Sequence, residues 1–280
     1  MAIVNATPDS FSDGGRHNDP SRAVDAARAF VAVGADMLDV GGESTRPGSQ
    51  RVQADEQIRR VVPVIRAIRE AGVDTPISID TTLAAVAWAA LDAGADAIND
   101  VSGGEEDPDL VALAAERACG LILMHRLVPP ERDRYSDRYD EAPAYGDVVE
   151  AVRADLGRKA EAAIAAGCDP ESIVLDPGLG FGKTVEQNVE LVQGSAKLMS
   201  LGYPLLGAAS RKSFVGRLSM GPMDRDPPGP ADRLGGSIVF SLAQLARGVR
   251  LFRVHDVREQ ARALRAAWAI GCGSDAPDPE

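Results

Sequence analysis

Acids, amides and bases recur in this 280-residue chain just after short apolar runs. In order they are Asn5, Asp39 with Glu43, Asp80, Asn99 with Asp100, His125, Asp176, Lys212, and Arg253 with His255. Asp80, Asn99 and Asp176 offer acceptors, which in an apolar mouth suit a neutral ring rich in N–H donors. Lys212, Arg253 and His255 come late in the chain and gather positive charge. Arg presents a fork for phosphate oxygens and Lys a compact charge. The ligand these residues describe is a planar nitrogen heterocycle with a phosphate at its other end.

Bringing positions so far apart to one place requires a particular scaffold. Apolar runs near 2–6, 36–40, 77–80, 96–100, 121–125, 173–176, 204–209 and 250–254 read as strands, with helical patterns between them. The clearest helix carries Ile58, Val61, Val62, Ile65 and Ile68 on one face, and Pro63 is expected to kink it. Strands apolar almost throughout, each followed by a helix, imply a parallel sheet covered on both faces. Eight such units predict an α/β fold, a single (β/α)8 TIM barrel over residues 1–270, with its site at the C-terminal ends of the strands. The polar groups named above all fall at that rim. "GADMLDVGG" at 34–42 returns as "GADAINDVSGG" at 94–104, a helix-ending Gly and a strand used twice.

Two rim loops are expected to be mobile and to close over a second substrate. "NATPDSFSDGG" follows strand one, with Gly14 and Gly15 as hinges and Phe11 as a movable apolar lid. "GGESTRPGS" at 41–49 follows strand two and brings Thr45 and Arg46. "GLGFGKT" at 178–184 imitates a phosphate-binding loop, but Pro177 stands where that pattern needs Gly. Its glycines are instead expected to let the backbone approach a ligand, with the Phe181 ring beside it. His17 and His125 lack a ligand-spaced partner and stand open between structural and ligating roles. The long connections 126–145 and 215–230 stand open between function and disorder, and residues 271–280 read as a disordered tail.

The formal charge of −12 excludes nucleic acid or an anionic membrane as general partner. Cys119, Cys168 and Cys272 have neither metal nor disulfide spacing, which fits a reducing cytosol. With neither a signal-peptide pattern nor a bilayer-length apolar run, the expected location is cytoplasmic.

Taken together, "NATPDSFSDGG", "GGESTRPGS", "SID", "INDVSGG", "LILMH", "LDPGLGFGKT", "SRKSF" and "RVHDV" resemble the dihydropteroate synthases, in the family's order and from Met1 to about Ile270. The resemblance implies condensation of 6-hydroxymethyl-7,8-dihydropterin pyrophosphate with p-aminobenzoate, giving 7,8-dihydropteroate and pyrophosphate. By motif position, Asp80, Asn99, Asp176 and Lys212 would hold the pterin, with Ile98 and Met124 as apolar walls. Asp80, Asp176 and Lys212 would carry the chemistry. Asn5 would ligate Mg²⁺ on the pyrophosphate, whose oxygens Arg253 and His255 would hold. Phe11, Thr45, Arg46, Pro47, Phe181 and Ser213 would form the p-aminobenzoate site. A related barrel that passes a methyl group from a folate would share the acceptors but has no reason for the cation cluster or the first loop.

Three stretches depart from the family pattern: "RLVPPERDRYSDRYDE" after strand five, "RLSMGPMDRDPPGPADR", and a start at strand one without a preceding floor segment. The last implies either a natural start upstream or a less closed floor. Members of the family are commonly dimers, and "SIVFSLAQLA" at 237–246 suits either an interface or packing on the barrel.

Overall fold

The computed structural model describes residues 1–6 and 20–271. The expectations for Phe11, Gly14, Gly15 and His17, and those for the tail from residue 272 onward, lie outside the described residues. Eight strands follow one another: β1 Ala2–Asn5, β2 Leu38–Gly41, β3 Ile77–Asp80, β4 Ala97–Asp100, β5 Gly120–Met124, β6 Ile173–Asp176, β7 Leu206–Gly207 and β8 Leu251–Phe252. β1 to β6 pair in sequence order and in parallel, and β7 pairs with β8. Two bridges join the sheets into a closed barrel. Leu175 of β6 pairs with Leu205, and Ala2 of β1 pairs with Val254 just after β8. β7 is shorter than its apolar run because Pro204 has no N–H to give; its carbonyl instead accepts from Leu175 at 2.9 Å.

Successive residues of a strand face opposite sides. In β3, Ile77 and Ile79 are fully buried in the apolar core, while Ser78 and Asp80 share the other face. The Ser78 hydroxyl donates to Asp39 of β2 at 2.6 Å, and Asn99 of β4 donates to the same carboxylate at 3.3 Å. The polar members of these strands are therefore one inward face, not interruptions of an apolar run. Leu38, Val40 and Ile98 join Ile77 and Ile79 in the core.

The helix Ala54–Glu70 continues through Pro63. Its buried face is Gln57, Val61, Val64, Ile65 and Ile68, turned from the expected one, so that Ile58 and Val62 are only partly covered. The turn is explained by Gln57, whose amide donates to the Val52 carbonyl at 2.9 Å and accepts from Thr81 at 3.2 Å. This holds the helix against the loop after β2. The helix Leu234–Leu245 buries Ser237, Ser241, Gln244 and Leu245 while Val239 stands exposed.

Of the two long connections, 126–145 is folded around short 3-10 turns at Pro130–Arg132 and Ser136–Arg138. The other contributes the helix Ser213–Leu218 before it turns toward Pro230–Asp232. Among the described residues, no helix is long and apolar enough to cross a membrane.

Candidate active site

The C-terminal ends of the strands surround a cavity of about 620 Å³. Asn5, Thr45, Arg46, Pro47, Asp80, Phe181, Lys212, Ser213, Arg253 and His255 all line it. Sequence reasoning thus brought ten of its residues to one space. Asn99, Met124 and Asp176 are buried at neighbouring strand ends without lining the cavity. Ile98 sits on the other side of β4 from Asn99, in the core toward the helices. The residue clustered with Met124 and Phe181 is Val101, the first residue past the strand. Two-residue alternation was the available signal, since Ile98 and Asn99 cannot face the same way.

Arg253 crosses the mouth. Its Nε donates to Asp39 Oδ2 at 2.6 Å and its Nη2 to Asp80 Oδ2 at 2.7 Å. The expected division into an acceptor side and a cation side is therefore corrected: one cation of the cluster lies directly against two of the acids. Asp39 is fully buried and takes hydrogen bonds from Ser78, Asn99 and Arg253, so it locks three strand ends together. Burial works against the Arg253 charge, but Asp39 and Asp80 more than restore it and hold its pKa above that of an ordinary arginine. Burial pushes Asp80 up to about 7; Arg253 draws it back, and the charges of Asp39 and Glu43 add to the rise.

Burial likewise raises Asp176, against the pull of Lys212; its Oδ1 accepts the Gly178 N–H at 2.7 Å. Lys212 is pulled down to about 8 by burial, against Asp176. Its ammonium donates to the Leu179 carbonyl and stands 4.7 Å from the centre of the Phe181 ring, a cation–π distance. Ser210, which sequence reasoning missed although it opens "SRKSF", fixes His255. Its Oγ accepts the His255 backbone N–H at 3.2 Å and lies 3.1 Å from Nδ1. In the tautomer whose Nδ1 accepts the Ser210 hydrogen, Nε2–H faces outward as a donor. Burial, with Arg211 and Arg253 beside it, lowers His255 to about 4, so the ring is neutral near pH 7.

The loop after β2 is seated by its own bonds. Glu43 accepts from Val52 N–H at 2.6 Å, Gly48 N–H reaches the Pro130 carbonyl at 2.8 Å, and Arg51 pairs with Glu106 at 2.6 Å. Of the glycines of "GLGFGKT", Gly178 and Gly182 approach other protein segments closely, while Gly180 lines the cavity. A Cβ on Gly178, at φ +65°, would lie 1.8 Å from the His125 carbonyl, and one on Gly182 would lie 2.4 Å from Leu127 Cβ. Lys183 of this stretch is fully buried and donates to His125 Nδ1, Gly178 O and Phe181 O at 2.8–2.9 Å. Burial and the Lys183 charge hold His125 near 2, so its neutral ring accepts from Lys183 in a buried contact.

Among the described residues, no group of three or more His, Cys, Asp or Glu side chains could hold a metal ion. Mg²⁺ takes few protein oxygens and fills its shell with water and substrate phosphate, so a single amide oxygen such as that of Asn5 beside a cation-lined cavity fits it.

A closed parallel barrel with buried acceptors and clustered cations around one cavity at its C-terminal rim is the architecture of a small-molecule enzyme. The family model for pterin-binding enzymes matches residues 1–255, and the chain belongs to that family. It is 45% identical over 270 residues to the dihydropteroate synthase of Mycobacterium leprae, covering 96% of this chain and 92% of that one. To the synthase of Synechocystis sp. it is 42% identical, covering 96% and 89%. Among solved structures, a dihydropteroate synthase from Clostridium difficile determined with pteroic acid has TM-score 0.85 at 40% identity, covering 97% of this chain and 95% of that one. The Xanthomonas albilineans enzyme with 4-aminobenzoic acid has TM-score 0.85 at 39% identity, covering 99% and 93%.

Replacing Lys183 by Met removes all three donors and leaves His125 Nδ1 and the Phe181 carbonyl unpaired in the interior, while the Gly178 carbonyl keeps the Phe181 N–H at 3.1 Å. The variant is expected to lose about 3–5 kcal/mol of stability in urea unfolding, and a loss below about 1 kcal/mol would contradict the role assigned to Lys183.

Proposed function

We propose that this chain condenses 6-hydroxymethyl-7,8-dihydropterin pyrophosphate with p-aminobenzoate, releasing pyrophosphate and 7,8-dihydropteroate. The observation that carries the reading is one cavity shared by Asp80, Lys212, Arg253, His255 and the Thr45–Arg46–Pro47 loop. Family membership and the ligands of the related synthases support it. A Mg²⁺ requirement and a homodimer are parts of the same reading that rest on the resemblance, and a cytoplasmic location belongs to it on the spacing of the cysteines.

In this reading Asp80, Asn99 and Asp176 accept from the N–H groups of the pterin, and Lys212 donates to its acceptor edge. Met124 and Val101 wall the ring, Val101 taking the part first expected of Ile98. Arg253 and the Nε2–H of His255 hold pyrophosphate oxygens, with Asn5 placed to ligate Mg²⁺. When bound, that ion would neutralise part of the pyrophosphate charge. The C–O bond breaks with its electron pair leaving on pyrophosphate, and the pterin methylene becomes a cation. Asp80 and Asp176 stabilise that positive charge from fixed positions. The aniline nitrogen then attacks, forming the C–N bond, and its proton passes to solvent or pyrophosphate. An aromatic amine at neutral pH has its lone pair free, so no strong base is needed.

Thr45, Arg46, Pro47, Phe181 and Ser213 form the p-aminobenzoate side. Phe11 is assigned there by motif alone. Loops closed over the mouth exclude water, which would otherwise capture the cation.

The test is pyrophosphate release by the purified protein with the pterin pyrophosphate and Mg²⁺, with and without p-aminobenzoate. The expected result is one dihydropteroate per pyrophosphate and strong dependence on the amine. Binding of the pterin without coupled product would overturn the reading.

A pH dependence follows from Asp80. Its ionised carboxylate accepts from Arg253 with one oxygen and offers the other to the pterin, whereas the protonated form gives up acceptor capacity. With Asp80 near 7, pterin affinity is expected to rise as pH is raised from 6 to 8, and to flatten in Asp80→Asn. Calorimetric titration across that range checks it, and equal slopes in both proteins would contradict it.

A further inference from the structure

The connection 126–145 departs most from the family pattern, and the reading above gives it no part. Its middle is nevertheless built into the cavity wall. Asp133 accepts the Gly182 N–H at 3.0 Å and the Tyr139 hydroxyl at 2.5 Å, and Tyr145 donates to the Gly182 carbonyl at 2.9 Å. These bonds bring Ser136 against the start of the helix Ser213–Leu218. The Ser136 backbone N–H donates to Ser213 Oγ at 3.2 Å, and its own Oγ accepts from Asn188 Nδ2 at 3.0 Å. Both serines are at least nine-tenths buried, and Ser213 lines the cavity.

A serine hydroxyl has one hydrogen and two lone pairs. The Ser136 N–H occupies one lone pair of Ser213, so the hydroxyl hydrogen cannot point that way. No described residue accepts that hydrogen, and the cavity is the polar side left to it. We infer that the strand-five connection sets the direction of the Ser213 hydroxyl, and that Ser136, through its backbone N–H, is a positioning residue for the carboxylate of the aromatic amine substrate. The inference rests on the proposed function. It predicts that the departure from the family pattern lies in the loop that aims a substrate donor, not in the donor itself.

Proline at 136 removes the donor and puts its ring carbon where the N–H was, turning the Ser213 hydroxyl away. The backbone admits it: Ser136 opens a 3-10 turn, where Pro is tolerated, and Tyr135 before it is extended at ψ 143°. Ser136→Ala, which keeps the N–H and loses the same hydroxyl, is the reference. Relative to it, Ser136→Pro is expected to raise KM for p-aminobenzoate about tenfold, with kcat and the KM for pterin pyrophosphate within about twofold. In a Ser213→Ala background the Pro and Ala variants should have equal KM for p-aminobenzoate, whereas general damage to the wall would persist there.

Equal KM values with Ser213 present, or equal rises for both substrates, would overturn the inference. If Ser136→Pro does not fold, hydrogen exchange at the Ser136 amide decides. Protection should fall in Ser213→Ala and rise in the native protein when p-aminobenzoate is added with pyrophosphate and Mg²⁺. Protection unmoved by either change would overturn it. A native protein that forms no dihydropteroate would sink the proposed function instead, so the two failures are distinct.

Discussion

A guanidinium held inside a barrel mouth by two carboxylates is the constraint on which the rest of this site depends. Arg253 comes from beyond β8, Asp39 from β2 and Asp80 from β3, so the contact spans the closure of the barrel. Removing three charges from water costs several kcal/mol each unless they are paired and hydrogen-bonded. Here Ser78 and Asn99 complete the shell of Asp39. Asp39 has no direct part in the proposed chemistry. It sets where a cation and an acceptor sit relative to one another, and leaves Asp80 with one oxygen committed to Arg253. Arg253 is thus paired within the protein, and in the proposed function a pyrophosphate would share it with the two carboxylates.

The lower half of the rim follows a different logic, in which a buried ammonium acts as a structural pin. Lys183 ties the turn after β6 to the end of β5 through three acceptors. The same turn brings Gly178 and Gly182 too close to their neighbours for any side chain. Phe181 is presented between them, beneath the Lys212 charge. The glycines matter to the site because they let two rim loops pack together, and the ring and the lysine of the cavity are positioned by that packing.

Much of this was legible in the sequence. Eight apolar runs fixed the number of strands, and polar residues at their ends marked the rim, because a parallel barrel has one active face. What was not legible depends on side-chain direction and on contacts far apart in sequence. Ile98 and Val101 differ only in which side of β4 they leave, and a run of buried residues hides that alternation. Arg253 read as a free cation because its partners lie 214 and 173 residues away. Ser210 and Ser136 act through backbone and hydroxyl geometry, which residue type alone does not announce. The connection 126–145 looked equally fit for disorder, being charged and rich in Pro; its order comes from Asp133 and the two tyrosines that reach Gly182.

The central claim is that Asp39 acts by aiming Arg253. Coulomb's law alone says that removing a negative charge beside an anion site should strengthen anion binding. The direct measurement is calorimetric affinity for pyrophosphate with Mg²⁺ in the native protein and in Asp39→Asn, with folding of the variant checked by its unfolding transition. Weaker binding by about tenfold, despite the lost negative charge, is the result this account requires. Unchanged or tighter binding would contradict it.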